Sequence, residues 1–151
     1  MDFEIHEHLE TFTAASTARS EGVDARTFAK VVGVATDDGR KALIVVDAPD
    51  RVDLRKARAV LGAAEVRLLT ETELEELAPG CDAGALPAVG ELFGVPMYVD
   101  YRVEDDAEIS FNAGTHRHSV RVDRAGWEQA AHVHYADLAG AADDRPAWAQ
   151  S

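Results

Sequence analysis

The sequence predicts an α+β domain in which helices wrap a mixed, mainly antiparallel sheet or partly closed barrel. Three observations carry that expectation. β-rich runs alternate with short helical segments along the chain, without repeats or low-complexity tracts. The turn Asp37-Asp38-Gly39-Arg40 separates two apolar runs, a strong hairpin signal. Three further strand candidates follow one another in the second half. At 151 residues and 46% hydrophobic, the chain suits one core, and two independent domains would each be marginal. The domain is expected over 1–138, with the Ala/Asp-rich stretch 139–151 and its late Trp148 as a frayed tail.

Each element has a local cause. Phe3 to His8 alternates Phe3 and Ile5 with Glu4 and His6, the period of a short edge strand. Thr11 or Thr13 can cap a helix through about Ser20, closed by Gly22. Ala29 to Ala35 and Ala42 to Val46 form the hairpin strands. Asp53 caps a helix from Leu54 to Leu61 that Gly62 ends, and Val66 to Leu69 is a short strand. Thr70 caps a helix from Glu71 to Leu77, stopped by Pro79-Gly80. Val95 to Tyr101, Glu108 to Asn112 and Ser119 to Val122 read as strands, with a tight turn between the last two. A last amphipathic helix begins after Asp123 and carries Trp127.

Composition narrows the function classes. The net charge is −13, so the surface repels phosphate backbones at long range and broad nucleic-acid binding is not expected. A short contact with one nucleic-acid end stays open, because salt screens the rest and Arg or Lys can act locally. Arginine outnumbers lysine twelve to three, which singles out Lys30, Lys41 and Lys56. No run of apolar residues approaches a membrane span, and Met1-Asp2-Phe3-Glu4 lacks a signal-peptide pattern, so a cytoplasmic location is expected. The single Cys81 excludes an internal disulfide and a Cys-rich zinc site. No Lys, Arg or His beside it would activate the thiol.

The loop Cys81-Asp82-Ala83-Gly84-Ala85-Leu86-Pro87-Ala88-Val89-Gly90 lies between a charged helical segment and an apolar strand. Its small residues leave backbone N–H groups bare. Gly84 and Gly90 permit angles closed to other residues and Pro87 fixes another, so a small polar ligand can approach a rigid backbone. Phe111-Asn112-Ala113-Gly114-Thr115-His116 echoes that chemistry. Taken with Phe28-Ala29-Lys30-Val31-Val32, Gly84-Ala85-Leu86-Pro87 and Val95-Pro96-Met97-Tyr98-Val99-Asp100, these segments resemble the YbaK/prolyl-tRNA synthetase-associated domain family over about residues 3 to 138. The early His8-Leu9-Glu10-Thr11-Phe12-Thr13-Ala14 is similar to the family's entry to its first helix. The loop and the Phe111–His116 segment are most similar to the free-standing, YeaK-like branch. Ala83-Gly84 stands where many relatives have Gly-Gly, Ala88 where that branch often has a second proline, and Val31 where a threonine is frequent.

The resemblance implies an aminoacyl-tRNA deacylase that removes a wrongly attached amino acid from the 3′ end of a transfer RNA, without cofactor or metal. A synthetase is an expected partner and a membrane is not. An aminoacyl ester is already activated toward water, so the task is to position water and stabilise an oxyanion. Gly84, Ala85 and Leu86 can offer N–H groups for that, with Pro87 keeping the loop rigid. Lys30, which matches the lysine most often singled out in the family, can pair with the terminal phosphate or ribose oxygens. Asn112 and His116 bracket Gly114 and can bond a ribose hydroxyl or a carbonyl, with His116 a candidate general base. Asp100 either orients Lys30 or caps the next turn, while His8 and Thr13 match the pocket rim. Small loop residues suggest a small substrate side chain such as Ala, Ser or Thr. Two rivals stand beside this reading: a non-catalytic binding module of the same fold, and a metal site built from the His-x-His pairs His6/His8, His116/His118 and His132/His134.

Overall fold

The computed structural model describes residues 3–7 and 28–140. β1 (Phe3–Glu7) is the expected edge strand. The hairpin follows as β2 (Ala29–Thr36) and β3 (Lys41–Asp47). Thr36 N–H donates to the Arg40 carbonyl at 2.9 Å, and Gly39 takes φ 87°, which a glycine adopts without strain. The register sets Lys30 opposite Val46 and Ala29 opposite Asp47. β4 (Arg51–Val52) leads into α1 (Leu54–Leu61), whose Asp53 cap accepts from the N–H groups of Arg55 and Lys56. Gly62 closes that helix in the left-handed conformation, as its position predicts.

β5 (Val66–Leu68) and α2 (Glu71–Leu77) come next, the latter opened by a Thr70/Glu73 capping box. The Arg67 guanidinium bonded to Glu73 holds that carboxyl down to about 2. A 3-10 turn (Gly90–Phe93) precedes β6 (Met97–Asp100), which is shorter than the expected Val95–Tyr101 strand. The cause lies in Asp100, whose carboxylate caps a second 3-10 turn (Tyr101–Asp105) by accepting from Arg102 N–H. β7 (Glu108–Asn112), β8 (His118–Asp123) and α3 (Arg124–Ala130) match their expected places. β9 (His134–Ala136) and β10 (Ala139–Gly140) were not expected. β10 pairs with β4, so Ala139 and Gly140, the first two residues of the stretch expected to fray, belong to a strand pair. The expected helix near Thr11–Ser20 and Trp148 lie outside the described residues.

Five strands run in the order β5-β2-β3-β6-β9, three in the order β1-β8-β7, and β10 pairs with β4. The β3–β6 and β6–β9 pairs are parallel and the other strand pairs antiparallel, a mixed and mainly antiparallel architecture. A parallel bridge between Phe28 and Ser110 carries the start of β2 onto β7. Alternation sends Ala29, Val31, Leu43, Val45, Met97 and Val99 into a core with Phe111, Trp127 and Leu86. The opposite face sends Val34, Ile44 and Val46 against Ala57 and Leu61 of α1 and Leu138. Both faces are therefore covered. That explains the unbroken apolar run Ala42–Val46, where burial of each large side chain contributes about 1.5–3 kcal/mol.

Gly90 shows how tightly the chain after the loop is packed. A Cβ there would stand 2.6 Å from the Val95 carbonyl oxygen and 3.0 Å from Met97 Cβ. Backbone cannot step aside as a side-chain tip can. Gly90→Ala is expected to lower stability by about 1–3 kcal/mol, read as a reduced urea midpoint at unchanged slope.

Candidate functional site

Two loops distant in sequence are fastened together at the end of β7. Asp82 N–H donates to the Gly114 carbonyl at 2.8 Å, and Gly114 N–H donates to the Ala85 carbonyl at 2.9 Å. The Asp82 carboxylate accepts from His116 N–H at 3.1 Å, and His116 Nε2 lies 2.9 Å from the Ala83 carbonyl. A carbonyl oxygen only accepts, so Nε2 carries the proton and Nδ1 of the neutral ring holds a lone pair. His116 is 8% exposed, and its Nδ1 has no hydrogen-bond partner among the described residues. Gly114 takes φ 99°, open to glycine, and a Cβ there would meet Cys81 Sγ at 3.5 Å. Burial raises the Cys81 thiol above its ordinary pKa, with Asp82 and Glu75 adding to the shift.

Within the loop, Ala85 N–H donates to the Asp82 carbonyl at 3.0 Å, closing a turn. That corrects the expectation for Ala85, whose N–H is engaged internally. The N–H groups of Gly84 and Leu86 have no such partner among the described residues. Ala85 and Leu86 are buried, and Leu86 belongs to the core. Pro87 is half-buried, and the next residue is pinned from below: Trp127 Nε1–H donates to the Ala88 carbonyl at 2.8 Å. Gly84 takes φ 81°, with a would-be Cβ 3.6 Å from His116 Cε1. Room exists but the conformation disfavours any L side chain. Gly84→Ala is expected to destabilise the protein by about 1–2 kcal/mol and to loosen the Ala83–His116 bond, measured by thermal melts and the His116 ring NMR signals.

Lys30 is half-buried on β2. Its neighbours Ala29 and Val31 point into the core with Leu86 and Ala88, so alternation turns Lys30 to the other face. The Phe28–Ser110 bridge sets the register there, and two residues further along both chains stand Lys30 and Asn112. Asn112 is buried, and its Oδ1 has no hydrogen-bond partner among the described residues. It ends β7, one residue before Ala113 and two before Gly114. Burial pushes the Lys30 ammonium below its ordinary pKa, against the pull of Asp50 and with the help of Arg51.

Asp100 does not join this group. Its Oδ1 accepts from Leu138 N–H at 2.9 Å and Ala139 N–H at 2.8 Å, and its Oδ2 from Arg102 N–H at 3.1 Å. A carboxylate so occupied fixes backbone. His8 and Thr13 lie outside the described residues. Of the histidine pairs, His6/His8 is not wholly within the described residues; His118 Nδ1 bonds Thr115 Oγ1 at 2.8 Å, and His132 bonds Glu91 beside a groove that His134 also lines. Among the described residues no three His, Cys, Asp or Glu side chains converge to hold a metal ion. Sequence reasoning missed Asp50, Asp82 and the Trp127 anchor. Asp82 had a local signal, a short acceptor side chain two residues before Gly84; Trp127 acts across 39 residues and had none.

The Gly84–Leu86 loop, the His116 ring and the Lys30 ammonium are the candidate groups for an oxygen-rich, negatively charged ligand. The chain belongs to the aminoacyl-tRNA editing domain family, whose model matches residues 8–130. It is similar in structure to a candidate trans-editing enzyme for prolyl tRNA synthetase, with 27% identity and TM-score 0.81 over 91% of this chain and 87% of that one. It shares its fold with the hypothetical protein APE2540, at 20% identity and TM-score 0.83 over 93% of each chain. The fold recurs within a longer candidate signal transduction protein from Marinobacter aquaeolei, at 22% identity and TM-score 0.67, covering 87% of this chain and 28% of that one. No curated protein matches the sequence. Among the described residues no helix is long and apolar enough to cross a membrane.

Proposed function

We propose that the protein is a trans-editing hydrolase that cleaves the ester of a mischarged aminoacyl-tRNA. The observation that carries this reading is the fastened loop, where the N–H groups of Gly84 and Leu86 have no main-chain partner among the described residues and stand with His116, whose buried Nδ1 likewise has none. In this reading the ester carbonyl oxygen docks on those N–H groups, which strengthen their hold as it becomes an oxyanion. His116 Nδ1 takes a proton from water as the water oxygen bonds the carbonyl carbon. Collapse of the adduct breaks the ester C–O bond, and the proton passes to the departing ribose oxygen. Lys30 holds the terminal phosphate or ribose oxygens and Asn112 a ribose hydroxyl. The site uses main-chain donors and side chains alone.

The similarity to a candidate trans-editing enzyme for prolyl tRNA synthetase supports mischarged prolyl-tRNA as a first substrate to try, and a synthetase as partner. Small loop residues favour a small amino acid. The test is a hydrolysis screen of transfer RNAs carrying Ala, Ser, Thr or Cys, with wild type and Lys30→Ala side by side. Turnover by wild type and its loss in the variant is expected. Saturable binding without turnover on any ester would replace this reading with a binding module, which the net charge of −13 keeps in view.

A further inference from the structure

The two fastened loops hold a charge that the fastening itself does not require. Asp82 Oδ2 accepts from His116 N–H at 3.1 Å, a bond that the side-chain oxygen of an asparagine would make equally well. Asp82 is exposed, and its Oδ1 has no hydrogen bond or ion pair among the described residues. The residues fastened around it are neutral. Ala83, Gly84, Ala85 and Gly114 carry no charge, and the His116 ring, which donates Nε2–H to the Ala83 carbonyl, is uncharged. The Cys81 thiol stays protonated, held up by burial and then by Asp82 and by Glu75 of α2. The field at this end of the loop is therefore negative.

Its place on the loop is fixed. Ala85 N–H closes a turn onto the Asp82 carbonyl at 3.0 Å, with Gly84 at φ 81° in the third position, and such a turn brings its ends within about 7 Å. Asp82 Oδ2 is one hydrogen bond from the main chain of His116, whose ring lies against Gly84: a Cβ on Gly84 would stand 3.6 Å from His116 Cε1. The carboxylate and the Gly84 N–H thus belong to one short, held turn. In an aminoacyl ester the α-nitrogen is two covalent bonds from the carbonyl carbon, and it is a cation when protonated. A group that reads it has to stand beside the group that holds the carbonyl oxygen.

We propose that the Asp82 carboxylate receives the α-ammonium of the aminoacyl group, so that a free α-amine is part of what the site selects. The inference rests on the reading that the ester carbonyl docks at Gly84 and Leu86, and it adds a specificity residue to that site. Binding tests it without turnover. The probes are 3′-alanylamido-3′-deoxyadenosine, whose amide replaces the labile ester, and its lactyl counterpart, which has a hydroxyl in place of the ammonium and nearly the same size.

By calorimetry on the full chain near pH 6.5, wild type is expected to bind the alanyl probe about 5-fold or more tighter than the lactyl probe. In Asp82→Asn the two are expected to bind alike, because the oxygen that meets His116 N–H remains and the charge does not. The wild-type preference is expected to fade as pH rises through the α-amine's own pKa, about 8, as the ammonium loses its proton. Equal binding of the probes by wild type, binding of neither, or a preference that survives in folded Asp82→Asn overturns the proposal. If that variant does not fold, a wild-type preference unchanged at pH 9.5 overturns it instead. A preference that depends on Asp82 in a protein that hydrolyses no aminoacyl ester supports the contact and sinks the editing reading alone. Ester hydrolysis with no such preference sinks the Asp82 contact alone.

Discussion

Lys30→Ala is expected to lose about 10²-fold or more in kcat/KM for ester hydrolysis while keeping the wild-type fold. The argument runs through burial and charge. Lys30 is half-buried and its ammonium is disfavoured by desolvation, so the fold gains little from it and gives up little when it is removed. Asp50 keeps its Arg102 partner in the variant. A bound phosphate or ribose oxygen would lose a charge-assisted contact in a place water enters poorly. Lys30→Arg is not expected to restore activity, because a planar fork replaces a compact charge at a fixed depth. Single-turnover hydrolysis beside thermal melts checks both halves. Unchanged kcat/KM in a folded Lys30→Ala protein would remove the lysine from the site.

Trp127→Ala is expected to have the largest effect on stability, about 3–5 kcal/mol, against the 5–15 kcal/mol that typically separates native from unfolded chains. Trp127 is fully buried, and its ring lies 6.5 Å from that of Phe111, tilted by 43°. Removing it opens a cavity under β7 and leaves the Ala88 carbonyl without its indole donor. Because Ala88 follows Pro87 directly, the damage reaches the loop, and ester hydrolysis is expected to fall in the fraction that still folds. Trp127→Phe separates the two contributions: most apolar volume stays and the hydrogen bond goes, a loss of about 1–2 kcal/mol. Urea unfolding of the two variants measures both steps.

The sequence was legible wherever one residue acts on its immediate neighbours. Asp53 and Gly62 bound α1, Thr70 opens α2, and Asp37 to Arg40 turn the hairpin, each through contacts a few residues long. What was missed depends on distant partners. β9 is three residues long and exists because it lies parallel to β6; β10 exists because β4 is beside it. Neither has a pattern of its own. The site divides the same way. The small residues of the 81–90 loop and of 112–116 marked two segments that hydrogen bonds fasten together; the Ala85 N–H is engaged by a local turn onto Asp82, whereas the occupied Asp100 carboxylate and the buried Asp50 follow from tertiary contacts. Asp100 illustrates the difficulty: a carboxylate at a strand end reads equally well as a ligand or as a cap until the chain near Leu138 arrives to occupy it.

The fastening of the two loops bears on how such a site can diversify. Of its four hydrogen bonds, two join main chain to main chain, one uses the Asp82 carboxylate and one the His116 ring. None depends on the side chains at 83, 86 or 88. Ala83 is exposed and can therefore change in size without unlocking the loop, whereas Leu86 and Ala88 are buried and cannot grow without repacking the core. Ala83, exposed and with its side chain in none of the four bonds, is the position at which this arrangement tolerates change. The outer surface of the loop can then change by single steps while its backbone stays held.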